Sequence, residues 1–190
     1  LMKYNIAICG TFNVENYGDV MFPEVFKTEM QKRGLDFNLF LFSPGTATDK
    51  TLAPGAKVYS VSEMSKIHAE NHLDAVIIGG GALVHYSKIP VKLGGDEYFS
   101  DYNIYDSWYT PIVFAAANNI KVIFNLPQVP YAFPQTLRDI TRKVFNAAQY
   151  ISVRDEKSSE FIKELYSDAD NAPDITVCPD SVCDIAQLIP

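Results

Sequence analysis

Residues Asp74–Gly81 read DAVIIGGG. An apolar run with no polar alternation is the pattern of a β-strand buried on both faces, which is what a parallel sheet covered by helices requires. The three glycines that follow it leave no side chain to block the approach of a ligand or of a second backbone segment. Working outward, Lys3–Cys9 (KYNIAIC), Asp36–Phe42 (DFNLFLF), Lys121–Leu126 (KVIFNL) and Tyr150–Val153 (YISV) read as further strands, with shorter ones at Lys57–Tyr59 and Thr176–Cys178. Helices are expected between them at Val20–Arg33, Val61–Asn71, Pro111–Asn119, Gln135–Ala148 and Glu156–Tyr166. Asp19 is placed to cap the first, with Pro23 in its first turn and Gly34 closing it, and Asp155 to cap the last. In Gln135–Ala148, the residues Leu137, Ile140, Val144, Phe145 and Ala148 fall near helical spacing. Strands alternating with helices predict an α/β fold: one doubly wound, Rossmann-like parallel sheet over residues 1–190. Residues Ala82–Asp106 carry few helix signals and are expected to form a long irregular loop.

With 190 residues, 47% of them hydrophobic, the chain can bury a sizeable core. Its formal net charge is −7 and its lysines and arginines form no dense run, which argues against a nucleic-acid or anionic-membrane partner. Cys9, Cys178 and Cys183 read as buried free thiols in a reducing compartment. His68 and His72 share a helix face but lack a third ligand, so no metal is expected. No apolar run approaches the length of a membrane span, and Tyr4–Cys9 is too short for a secretory leader; the expectation is a soluble cytoplasmic protein. The oligomeric state stays open.

Five punctuated segments follow the predicted strands: Gly10–Asp19 (GTFNVENYGD), Gly79–Gly81, Pro127–Pro134 (PQVPYAFP), Arg154–Asp155 and Pro179–Ser181. The carboxyl ends of parallel strands share one rim, where ligands bind, so these segments should converge. The first has neither the G-x-G-x-x-G spacing of a dinucleotide site nor the G-K-[ST] of a P-loop. It ends on a capped helix, whose free N–H groups suit an anion. Arg154 is either a bidentate clamp for carboxylate or phosphate, or the ion-pair partner of Asp155. His85, just after the glycines, is either a proton donor near neutral pH or an exposed loop residue. Asp180 and Ser181 either cap a helix or bind a sugar hydroxyl. Tyr98, Phe99, Tyr102, Tyr105, Trp108 and Tyr109 form either a sugar-binding wall or the packing of the long loop.

In that order, GTFNVENYGD, DAVIIGGGALVH, YISVRDEKSSEFIKEL and VCPDSVCD resemble the polysaccharide pyruvyl transferase family, over most of the chain from Ile6 to Asp184. The resemblance implies the N-terminal half of a two-domain, GT-B-type transferase with its active site in the cleft between two Rossmann-like halves. It implies transfer of a pyruvyl group from phosphoenolpyruvate, the donor substrate, to a sugar or lipid-linked saccharide, making a ketal in cell-surface or exopolysaccharide biosynthesis, with no other cofactor. Arg154 then matches part of the donor anion site, Asn16, Gly18 and Asp19 match the first loop, and Gly79, Gly80 and Gly81 match the second. The chemistry needs a general acid and a base, for which Asp19, His85 and Asp180 are candidates. The family's further basic residues come from its C-terminal half, so these 190 residues alone are expected to be inactive. The alternatives are a nucleotide-sugar glycosyltransferase of the same architecture and a non-catalytic Rossmann-like binding module.

Overall fold

The apolar runs become the strands of one sheet. The structure, a computed structural model, describes residues 3–12, 16–44, 57–87, 90–93, 96–99, 104–180 and 182–183. In chain order the elements are β1 (Tyr4–Cys9), α1 (Tyr17–Lys32), β2 (Phe37–Ser43), β3 (Val58–Ser60), α2 (Met64–Asn71), β4 (Ala75–Gly79), β5 (Pro90–Leu93), β6 (Asp96–Phe99), α3 (Tyr109–Ala117), β7 (Lys121–Asn125), α4 (Arg138–Asn146), β8 (Tyr150–Val153), α5 (Glu156–Leu165) and β9 (Thr176–Val177). Seven strands form a sheet in the order β3-β2-β1-β4-β7-β8-β9. Every neighbouring pair in it is parallel. From β1 the chain builds outward to β2 and β3, then returns to lay β4 on the other side of β1. The order reverses between β1 and β4, and a reversal of this kind opens a crevice at the carboxyl ends of the two strands.

Alternate residues of each strand feed opposite faces. Ala7, Cys9, Val76, Ile78, Val122, Phe124, Ile151 and Val153 pack with Trp108, Ile112, Phe145 and Ile162 into the larger core, where the Phe124 and Phe145 rings stack at 4.9 Å. Ile6, Ile8, Leu41 and Ile77 face the other way, onto Phe12, Val20 and Phe22. Among the described residues, no helix is long and apolar enough to cross a membrane.

Several expectations need correction. The first helix begins at Tyr17, and its cap is Asn16, whose side chain accepts from the Gly18 N–H at 3.2 Å. Asp19 is therefore in the first turn and buried, and Pro23 lies inside the helix, where it cannot donate to the Asp19 carbonyl. The stretch 82–106 contains an antiparallel hairpin, β5 paired with β6, and then a 3₁₀ turn at Ile104–Ser107. The third helix runs Tyr109–Ala117 rather than Pro111–Asn119, and the fourth opens with a 3₁₀ turn at Gln135–Leu137. Ile140 is exposed, off the buried stripe of Thr141, Val144 and Phe145. Trp108 is fully buried, with Tyr105 and Tyr109 packed against its cluster, so these rings build the core and not a sugar wall. Cys9 is buried, but Cys178, just past the two-residue edge strand β9, and Cys183 are exposed. Ser181, Tyr102 and the side chains of Tyr98 and Phe99 lie outside the described residues.

Candidate functional site

The rim begins where β1 ends. The Ser43 hydroxyl at the end of β2 donates to the Gly10 carbonyl at 2.9 Å and accepts from the Phe12 N–H at 2.9 Å, pinning the first loop. A Cβ on Gly10 would lie 3.3 Å from the Gly79 carbonyl oxygen, so the loops after β1 and β4 meet at the reversal point. Thr11 projects from the first loop and donates its hydroxyl to Asp19 Oδ2 at 2.6 Å. The other side of the Asp19 carboxyl sits against Gly81: a Cβ there would overlap Oδ1 and stand 2.9 Å from Cγ. Gly80 and Gly81 have φ of 77° and 61°, the left-handed region that glycine enters without steric cost. The triplet is thus required twice, for its backbone turn and for room beside Asp19.

From the far side of the crevice comes Arg154, at the end of β8. Its Nη1 stands 3.2 Å from Asp180 Oδ2, its Nε 4.0 Å from Asp155 Oδ2, and its Nη2 donates to Gln128 Oε1. The guanidinium is about a quarter exposed. The other three arginines are placed elsewhere: Arg33 caps the end of α1, and Arg138 and Arg142 both donate from Nε to the Leu165 carbonyl and pair with Asp168. Asp180 holds its position through Oδ1, which accepts from the Val182 N–H at 3.0 Å. Asp155 caps α5 as expected, its Oδ1 accepting from the Ser158 N–H at 2.7 Å.

The rim loops converge on one charged cluster. Burial raises the Asp19 carboxyl above the ordinary carboxylate range; the Thr11 hydrogen bond and Arg154 oppose that rise, and Asp180 adds to it. Asp19, Arg154 and Asp180 therefore feel one another electrostatically across the crevice. Chemically, the cluster offers a part-exposed cation and a buried carboxyl whose pKa burial pushes up.

Among the candidates, Asn16 and Gly18 sit at the start of α1, with Asn16 spent on capping. His85 is 2% exposed, which removes the exposed-loop reading. Its Nδ1 accepts from the Ser87 N–H at 3.1 Å, so the ring hydrogen of the neutral form is on Nε2, and that atom has no hydrogen-bond partner among the described residues. Its carbonyl accepts from Trp108 Nε1 at 3.1 Å and its ring meets Tyr131 edge-on. Burial lowers its pKa, against a backbone contact from Ala82 that raises it. None of these contacts joins it to the Asp19–Arg154–Asp180 cluster. Two members of the cluster were not foreseen: Thr11, whose hydroxyl grips Asp19, and Gln128, from the segment Pro127–Pro134. Among the described residues no group of three His, Cys, Asp or Glu is arranged to hold a metal ion.

The family model for polysaccharide pyruvyl transferase matches residues 16–190. The chain belongs to the polysaccharide pyruvyl transferase family. No curated protein matches it by sequence. Among solved structures it is similar to UDP-GlcNAc 2-epimerase from Neisseria meningitidis bound to UDP-GlcNAc, with a TM-score of 0.55 at 11% identity over 98% of this chain and 49% of that one. It is also similar to UDP-GlcNAc 2-epimerase from Methanocaldococcus jannaschii, with a TM-score of 0.50 at 12% identity over 93% of this chain and 45% of that one. At such identity the likeness is one of fold, and it agrees with the expected Rossmann-like α/β sheet. The chain spans about half the length of these two structures.

Proposed function

We propose that the full-length protein transfers a pyruvyl group from phosphoenolpyruvate to a sugar or lipid-linked saccharide, forming a ketal in the cytoplasmic synthesis of a cell-surface polysaccharide. The observation that carries this reading is that Gln128 ties Arg154 to the Gly81 turn against which the buried Asp19 packs, in a chain that belongs to a pyruvyl transferase family. Phosphoenolpyruvate carries a phosphate and a carboxylate. On a chain of net charge −7, a donor of that kind needs a dedicated cation, and Arg154 is the rim arginine available for it.

The reaction then balances as follows. A proton is added to the methylene carbon of the enol, leaving an electron-poor C2. One sugar hydroxyl attacks C2 and gives up its proton. The bond from C2 to the phosphate oxygen breaks with release of inorganic phosphate, and a second hydroxyl attacks and loses its proton to close the ketal. Burial pushes the Asp19 carboxyl toward a higher pKa, the direction a general acid needs, which favours Asp19 for the first step. Asp180, paired with Arg154, suits the role of proton acceptor. His85, buried under Tyr131, supports neither role as well.

Thermal unfolding of the full-length protein distinguishes the donor. A ligand that binds only the folded state raises the apparent stability. Phosphoenolpyruvate is expected to raise the melting temperature and nucleotide sugars are not; the reverse result would favour the glycosyltransferase reading.

A further inference from the structure

We propose that Gln128 is a positioning residue that aims Arg154 at the donor anion, an inference that rests on the pyruvyl transfer reading for the identity of that anion. Gln128 lies in the one rim segment that the family motifs leave without a role, and it contacts two of the other converging loops. Its Oε1 accepts from Arg154 Nη2, and its Nε2 donates to Asp155 Oδ2 at 3.2 Å. Its backbone N–H donates to the Gly81 carbonyl at 2.9 Å, and its carbonyl accepts from the Val84 N–H at 3.2 Å.

The side-chain amide has one acceptor end and one donor end. A guanidinium can only donate and a carboxylate can only accept, so these two partners admit a single orientation of the amide. Asp155 is itself fixed, because its other oxygen caps α5. The order of restraint runs from the helix start to Asp155, to Gln128 and then to Arg154. A neutral amide does this without cancelling the guanidinium charge, which a glutamate in its place would do.

The backbone is built to deliver this side chain. Between β7 and Gln128 stands Leu126 with φ of 58°, a left-handed conformation that a bulky residue rarely takes. Its N–H is held by the Ser152 carbonyl at 3.1 Å and the Ser152 hydroxyl at 3.2 Å. Such strain persists only where the surroundings enforce it, and here it turns the chain off β7 toward Arg154 and Gly81.

The test uses full-length protein with ¹⁵N-labelled arginine, observing the Arg154 guanidinium, assigned by its loss in Arg154→Ala. The lock is expected to give slowly rotating, resolved Nη–Hη signals in the wild type. Gln128→Leu should collapse them to an averaged signal and weaken phosphoenolpyruvate binding about tenfold, the scale of a hydrogen bond to a charged group. Gln128→Glu should keep them resolved, since the carboxylate still accepts from Nη2, yet weaken binding by a similar factor through competition for the charge. Resolved Arg154 signals in Gln128→Leu, or unchanged affinity in both variants, would overturn the proposal. If the wild-type protein bound no phosphoenolpyruvate, the donor assignment would fail, and the guanidinium signals would still decide the role of Gln128.

Discussion

Replacing Gly81 with alanine tests the packing that holds Asp19. Two costs follow from the structure. At φ of 61° a non-glycine residue is strained, by about 1–2 kcal/mol. The new Cβ would also overlap Asp19 Oδ1 and stand 2.9 Å from Cγ, so the carboxyl must move and surrender the 2.6 Å bond from Thr11. Losing a buried hydrogen bond to a charged or polarised group costs about 1.5–3 kcal/mol. The sum is about 2.5–5 kcal/mol, or roughly 5–20 °C in melting temperature for a chain of this size. Urea denaturation of Gly81→Ala in wild-type and Asp19→Ala backgrounds separates the two terms. With Asp19 truncated the overlap disappears, and the cost of Gly81→Ala should fall to the backbone term of about 1–2 kcal/mol. An equal cost in both backgrounds would refute the claim that Gly81 makes room for the Asp19 carboxyl.

Asp19→Asn should gain stability over the wild type as pH rises above the ordinary carboxylate range. Burial raises the folded-state pKa of Asp19, so its contribution is complete below the unfolded-state value and lost as pH rises through the folded one. A pH series of denaturation curves with a constant difference would contradict this. Asp180→Asn removes a carboxylate 3.2 Å from Arg154 Nη1. The pair is part-exposed, so phosphoenolpyruvate affinity measured by calorimetry should tighten only about two- to fivefold. Trp108→Phe keeps most of the buried ring but strips the His85 carbonyl of its donor. Urea denaturation should report a loss of about 1–3 kcal/mol.

The strands were legible because a buried parallel strand has to be apolar on both faces, as DAVII and KVIFN are. The Asp155 cap, and the left-handed turn at Gly34 just past the Arg33 cap of α1, were legible because they act within a few residues of their own helix. Asp19 misled for a related reason: Asp and Asn both cap well, and only the extended backbone of Asn16 decides between them. The hairpin had a local signal in KLGGDEY, two glycines between strand-forming residues, but its charged flanks hid it. Other features depend on distant partners. His85 is buried by Trp108 and Tyr131, 23 and 46 positions onward, and no local pattern encodes that. Gln128 is a second case, since its side-chain partners lie 26 and 27 residues away in a different loop. Its significance comes from the sheet order, which seats β7 between β4 and β8.

The central claim is that Arg154 binds the donor anion. Isothermal titration of phosphoenolpyruvate into the full-length protein, wild type against Arg154→Ala, tests it most directly. Heat of binding in the wild type and its loss in the variant is the predicted result, with the fold of the variant checked by circular dichroism. Equal affinity in the two proteins would contradict it.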